Sequence, residues 1–221
     1  MNTLLTEPVA SLISRLFADA QASEAHLRQE SRNVTPEQRR ALMLDSGYRE
    51  LYGRMKDFYL AVSPETGRLL YMLARSMRAR EIIEFGTSFG ISTLHLAAAL
   101  RDNGGGRVIS TEFEPGKVAR ARANLQAAGL SDLVEIREGD ALETLARDLP
   151  QSIDLVLLDG AKGLYPKVLS LLEGRLREGA LIVADNADYV PDYLARVRSP
   201  ASGYTSLAFG EDVEISMRGA L

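Results

Sequence analysis

From Glu81 onward, short apolar runs alternate with helical stretches, and no other feature of this chain limits its fold as strongly. The runs cover residues 82–85, 108–111, 134–136, 153–158 and 181–184; the helical stretches cover 92–100, 117–128, 141–149 and 165–176. Strands that are apolar throughout need cover on both faces, and connecting helices supply it to a parallel sheet. The end of the chain breaks the rhythm. Residues 206–209 and 213–217 flank Gly210-Glu211-Asp212, a pattern that predicts an antiparallel hairpin on the sheet edge. The expected fold is α/β, with a Rossmann-like, mostly parallel sheet and N-terminal accessory helices.

Before residue 81 the spacing is helical. Leu5, Val9, Leu12, Ile13 and Leu16 recur along one face. Thr35-Pro36-Glu37-Gln38 offers an N-cap, a proline at the first helical position and a capping-box glutamine. Ser63-Pro64-Glu65 opens another helix, whose Leu69, Leu70, Leu73 and Met77 should face a core. The reading is a helical segment over 1–62, covering substrate or dimerising, followed by a ligand-binding domain over 63–221. Amphipathic N-terminal helices suggest a homodimer, although they serve equally well to cover the chain's own core.

Composition removes several classes of function. The 221 residues carry a net charge of -4 and no long basic run, which argues against an electrostatic nucleic-acid binder. With no cysteine, disulfides, thiolate metal sites and cysteine nucleophiles are excluded together, and a reducing cytosol fits. Glu7, Pro8, Arg15 and Asp19 interrupt the N-terminal apolar residues, so neither a signal-peptide core nor a membrane span is read. A cytoplasmic protein without a membrane partner is expected.

Glu84-Phe85-Gly86-Thr87-Ser88-Phe89-Gly90 lies where the first strand gives way to a helix, the edge at which open α/β sheets bind ligands. Its glycines let the backbone turn sharply, and the helix start offers free N–H groups. The Gly-x-x-x-Gly spacing is not the one that seats a pyrophosphate. That disfavours a nicotinamide dehydrogenase. Glu112 ends the second strand, placed to accept hydrogen bonds from ribose hydroxyls, and Asp140-Ala141 follows the third, where a loop meets an adenine edge. Acids at three successive strand ends with no phosphate pattern favour a cationic adenosine ligand such as S-adenosylmethionine. Solvated strand-end charges are the plainer reading.

Asp159 ends the fourth strand, and Asp185-Asn186 end the fifth. Together they offer three hard oxygen donors of the type Mg²⁺ or Ca²⁺ prefers, with positions left for water and substrate. Asp-Asn after a strand is also a common cap or Asx-turn. On the residues alone both readings stand. Lys162, three positions past Asp159, would lose its proton more readily near a dication and become a base. His95 reads as a packed helix residue, His26 offers less, and no Gly-x-Ser-x-Gly marks a serine hydrolase.

At these residues the chain resembles the cation-dependent O-methyltransferases, the group that includes catechol and caffeoyl-CoA O-methyltransferases. The likeness runs from Val62 to Asn186, with a weaker echo in the hairpin. It implies a class I S-adenosylmethionine-dependent enzyme in which Val62, Glu84, Gly86, Thr87, Ser88, Ser92, Glu112, Asp140, Ala141 and Asp159 contact the cofactor. It further implies that Asp159, Asp185 and Asn186 hold the metal and that Lys162 is the base. Two departures stand out. Asp159-Gly160-Ala161-Lys162 lacks both the second aspartate of the plant enzymes and the bulky aromatic of the catechol enzymes, leaving a roomier site. The stretch between Asn186 and the hairpin is also short, so acceptor contacts fall to the N-terminal helices. The implied acceptor is a small aromatic hydroxyl. The alternatives are tRNA, met by Arg15, Arg28, Arg32, Arg39 and Arg40, and a non-catalytic cofactor sensor.

Overall fold

The computed structural model describes residues 2–30, 35–44 and 48–220. Five parallel strands, β1 (Glu81–Phe85), β2 (Arg107–Glu112), β3 (Val134–Glu138), β4 (Ile153–Leu158) and β5 (Leu176–Ala184), form the body of one sheet. β7 (Val213–Arg218) pairs antiparallel with β5, and β6 (Tyr204–Phe209) pairs antiparallel with β7 at the edge. The strand order is β3-β2-β1-β4-β5-β7-β6. The chain leaves β1 toward one side and returns at β4 on the other, so a crevice opens at the carboxyl ends of β1 and β4.

Alternate residues of the central strands serve two cores, as a period of two requires. Ile82, Leu155 and Val183 join α4 (Pro64–Ser76) and α5 (Ile91–Asp102) on one face. Ile83, Val156 and Ile182 join α8 (Tyr165–Leu172) and α9 (Pro191–Val197) on the other. All six side chains are fully buried, each contributing about 1.5–3 kcal/mol.

The apolar stripe of the long N-terminal helix (Val9–Glu30) is spent inside the molecule: Val9, Leu12, Ile13 and Leu16 enter the first core. The stripe that suggested a dimer therefore packs on this chain's own helices. The expected capping box forms at Pro36–Leu44, with Thr35 N–H donating to Gln38 Oε1 at 2.9 Å and Gln38 N–H to Thr35 Oγ1 at 3.2 Å. The side chains of His26, Arg28, Arg32, Arg39 and Arg40 lie outside what is described. Among the described residues, no helix is long and apolar enough to cross a membrane.

Two expected elements change length. The helix read over 141–149 is a single turn, Ala141–Thr144, because Arg137 donates to the carbonyls of Thr144, Arg147 and Asp148 and so satisfies the chain end a longer helix would have used. β5 begins five residues earlier than the apolar run suggests, at Leu176, since its first half pairs with β4 only at Ile153↔Leu176 before a register shift.

Candidate active site

The turn after β1 depends on Gly86. Its φ of 105° belongs to glycine, and a Cβ there would lie 2.6 Å from the Asp159 carbonyl oxygen. The ends of β1 and β4 thus touch backbone to backbone. Gly160 is bare for a related reason: a Cβ would sit 2.5 Å from the Phe85 ring. Side-chain volume missing from the strand-four loop is supplied by β1.

Glu84 points beneath this loop, into the protein. It is fully buried and accepts from Ser92 Oγ and Thr93 Oγ1, both at 2.6 Å, and from Ser110 Oγ at 2.5 Å. Burial pushes its carboxyl up to about 7, while the three hydroxyls pull the other way. Thr87 joins through Ser110, Oγ to Oγ at 2.5 Å. Glu84, Ser92 and Thr87 therefore brace the loop from below, and Thr87 and Ser92 reach a small recess against Tyr59–Ala61.

Above the loop lies a pocket at the carboxyl ends of β1, β2 and β4. Six sequence-predicted residues line it: Gly86, Ser88, Glu112, Asp140, Ala141 and Asp159. Glu112 accepts from the Ser88 N–H at 2.9 Å and the Glu114 N–H at 3.1 Å; burial pushes its carboxyl up against the pull of those donors and Lys117. Ser88, at φ 47°, has a buried hydroxyl with no partner, an open hydrogen-bonding position on the cavity wall. Asp140 caps Ala141–Thr144 through the Leu142 N–H at 2.9 Å. Its second oxygen accepts from Tyr48 Oη at 3.0 Å and from the Arg49 guanidinium. Tyr48 and Arg49 belong to α3 (Tyr48–Arg54), so this acid ties a helix of the N-terminal segment across the cavity mouth.

A second, wider cavity is lined by Val62, Asp159, Lys162, Asp185, Asn186 and Asp212, among others. Asp159 belongs to both. Asp159 and Asp185 act on each other's titration, and both carboxyls are raised above the ordinary range, by burial first. Each also feels the charge of Asp212, and Asp185 that of Asp159. Two carboxyls in this relation must share a proton or a cation. Asn186 holds a left-handed conformation (φ 51°), which asparagine tolerates, and donates Nδ2 to Asp212 Oδ2 at 2.9 Å, leaving its amide oxygen uncommitted to that bond. No three His, Cys, Asp or Glu side chains among the described residues form a metal cluster by themselves. Two carboxylates and an amide oxygen are what these strand ends offer, a hard donor set that fits Mg²⁺.

Lys162 lines this wider cavity. Its ammonium is buried and donates to Asp159 Oδ1 at 3.0 Å, to Tyr165 Oη at 2.8 Å and to the Asp185 carbonyl at 3.3 Å. Burial favours the neutral amine, but Tyr165, Asp159 and Asp185 outweigh it, and the pKa stands well above the ordinary value. These partners favour the protonated amine. Sequence reasoning missed Tyr165 and Asp212, since a tyrosine opening a helix and an acid in a hairpin turn carry no local signal. It also missed Lys117, a buried lysine on the first cavity whose Nζ lies 5.5 Å from the Phe89 ring centroid. His95 is structural: it is buried, Nδ1 lies 2.8 Å from the Ile91 carbonyl, and burial lowers it to about 4.

The strand order, the glycine turn after β1 and the acid ending β2 define a class I methyltransferase fold. The methyltransferase-domain family matches residues 83–187. The catechol O-methyltransferase of Niastella koreensis is 37% identical over 130 residues, 58% of this chain and 58% of that protein. The structure of cofactor-bound Rv0187 from MTB is 31% identical with a TM-score of 0.64, covering 72% of this chain and 83% of that one. The O-methyltransferase TomG from Streptomyces achromogenes, in complex with SAM, is 28% identical with a TM-score of 0.65 over 89% of this chain and 96% of its own. Residues 83–187 thus match a methyltransferase domain, and the chain is similar to class I O-methyltransferases. It spans less than two thirds of the length of the first curated relatives it matches, 58% and 57%.

Proposed function

We propose that this protein transfers a methyl group from S-adenosylmethionine to a hydroxyl of a small phenol- or catechol-like acceptor, with Mg²⁺ or another divalent cation held by Asp159, Asp185 and Asn186. The observation that carries the reading is that Asp159 lines both cavities, so one carboxylate serves the junction where donor and acceptor meet. The names of the catechol O-methyltransferase relatives and the SAM complex of TomG support it.

Glu112 accepts the ribose hydroxyls, the unpartnered Ser88 hydroxyl adds a hydrogen bond, and Asp140 with Ala141 faces the adenine end. When bound, the cation supplies Lewis acidity that lowers the acceptor hydroxyl's pKa from about 10, judged by tyrosine. Asp159 and Asp185 would hold it with Asn186. With their charge so used, burial would favour the neutral amine: Lys162 would release its proton to solvent, and its free Nζ would then take the acceptor's proton. Tyr165 fixes the amine in place. The attack on the methyl requires chiefly alignment, which the rigid strand ends provide. Residues 1–62 act as cover, with α3 closing the donor cavity through Tyr48 and Tyr52.

The test is methyl transfer from labelled donor to a panel of vicinal diphenols, with Mg²⁺ and again with a chelator. Transfer that needs Mg²⁺ supports the reading; transfer untouched by the chelator removes the metal from it.

A further inference from the structure

The two cavities share an aromatic wall that comes from the N-terminal helices. Tyr52, on α3, lines the donor cavity with Ala161 and lines the wider cavity with Asp159 and Lys162. Its ring packs on the buried cluster that contains Ala141, Ala161 and Leu164. Its phenol oxygen faces the backbone N–H of Lys162, the amide next to Ala161, and donates to Met43 Sδ at 3.6 Å. The loop it faces offers almost no side chain of its own. Gly160 is bare, its space taken by Phe85, and Ala161 contributes one methyl. A flat ring imported by α3 fills that gap on one face and meets the wider cavity with the other.

We propose that Tyr52 is a specificity-determining residue, occupying the volume that Ala161 leaves open and stacking on a planar acceptor beside Asp159. The inference rests on the methyl-transfer reading. Offset or edge-on ring contact is worth enough to select aromatic over aliphatic hydroxyls.

The experiment compares Tyr52→Ala, Tyr52→Leu, Tyr52→Phe, Ala161→Trp and the Tyr52→Ala/Ala161→Trp double variant. Each is checked for folding by thermal unfolding, then for S-adenosylhomocysteine affinity by calorimetry and for KM and kcat with a vicinal diphenol and Mg²⁺. Tyr52→Ala and Tyr52→Leu should raise acceptor KM about ten-fold with kcat changed less, and Tyr52→Phe should keep the wild-type KM. Ala161→Trp, forced against the Tyr52 ring, should weaken S-adenosylhomocysteine about ten-fold, and the double variant should recover most of that loss. Purely additive effects on S-adenosylhomocysteine, or a Tyr52→Leu variant with unchanged KM, would overturn the proposal. Absence of methyl transfer by the wild type to any hydroxyl acceptor instead overturns the functional reading, because the calorimetric comparison needs no acceptor.

Discussion

Lys162 Nζ lies 3.0 Å from Asp159 Oδ1 with both side chains almost wholly buried, so an ion pair sits at the point shared by the two cavities. A buried pair of this kind is easily upset by removing either partner. Replacing Lys162 with methionine leaves Asp159 and Asp185 facing each other without their cation. Turnover should fall by about 10²–10⁴, the usual contribution of a general base, while S-adenosylhomocysteine still binds. Steady-state kinetics beside calorimetry separates the two. Loss of cofactor binding with turnover reduced only in proportion would show that Lys162 merely supports the cavity.

Gly86→Ala combines left-handed strain with a contact of 2.6 Å against the Asp159 backbone. The two penalties together are about 3 kcal/mol, and the displaced backbone is the one that carries Asp159. Urea unfolding should show that loss, and cofactor affinity should fall with it. An alanine variant as stable as the wild type would mean that β1 and β4 do not meet as described.

Glu84 predicts a pH dependence of stability. Its folded pKa of about 7 lies above the ordinary 4.5, so the folded chain holds a proton that the unfolded chain releases. This contribution is full below pH 4.5 and is lost as pH rises through 7. Glu84→Gln should flatten the stability curve between those values. Glu84→Ala should cost about 2–3 kcal/mol at pH 5, because it strands the hydroxyls of Ser92, Thr93 and Ser110, and less at pH 8, where the buried carboxylate has already lost its contribution. Chemical denaturation at pH 5 and pH 8 measures both, and an unchanged slope in Glu84→Gln would refute the assignment.

The strands were legible because each is an apolar run, and their ends could be placed within a few residues. The acids at those ends were legible as positions, since a strand's carboxyl terminus is where such folds bind ligands. Their directions were not. Glu84 and Glu112 both occupy the carboxyl halves of neighbouring strands, yet one turns under the loop to three hydroxyls and the other lines the cavity. Strand register decides that, and register follows from pairing across the whole sheet. The state of Lys162 was hidden for a similar reason: Tyr165 lies only three residues away, but its hydroxyl reaches the amine because helix α8 begins there and turns it inward.

Asp140 ties α3 to the donor cavity through Tyr48 and Arg49. Asp140→Ala removes this tie and the cap on Ala141–Thr144, at a cost of about 1 kcal/mol in global stability. The larger effect should be local: amides of α3 should exchange with deuterium about ten-fold faster while those of β1 and β4 stay unchanged. Equal protection of α3 in both proteins would mean that it is held by other contacts.

The central claim is that Asp159, Asp185 and Asn186 together hold a divalent cation beside the donor cavity. Its most direct test is titration of the protein with Mn²⁺, followed by electron paramagnetic resonance, in the wild type and in Asp159→Asn and Asp185→Asn. The account predicts one site in the wild type, displaced by Mg²⁺ and weakened by about 100-fold or more in each variant. Equal Mn²⁺ binding by all three proteins, or no binding by the wild type, would contradict it.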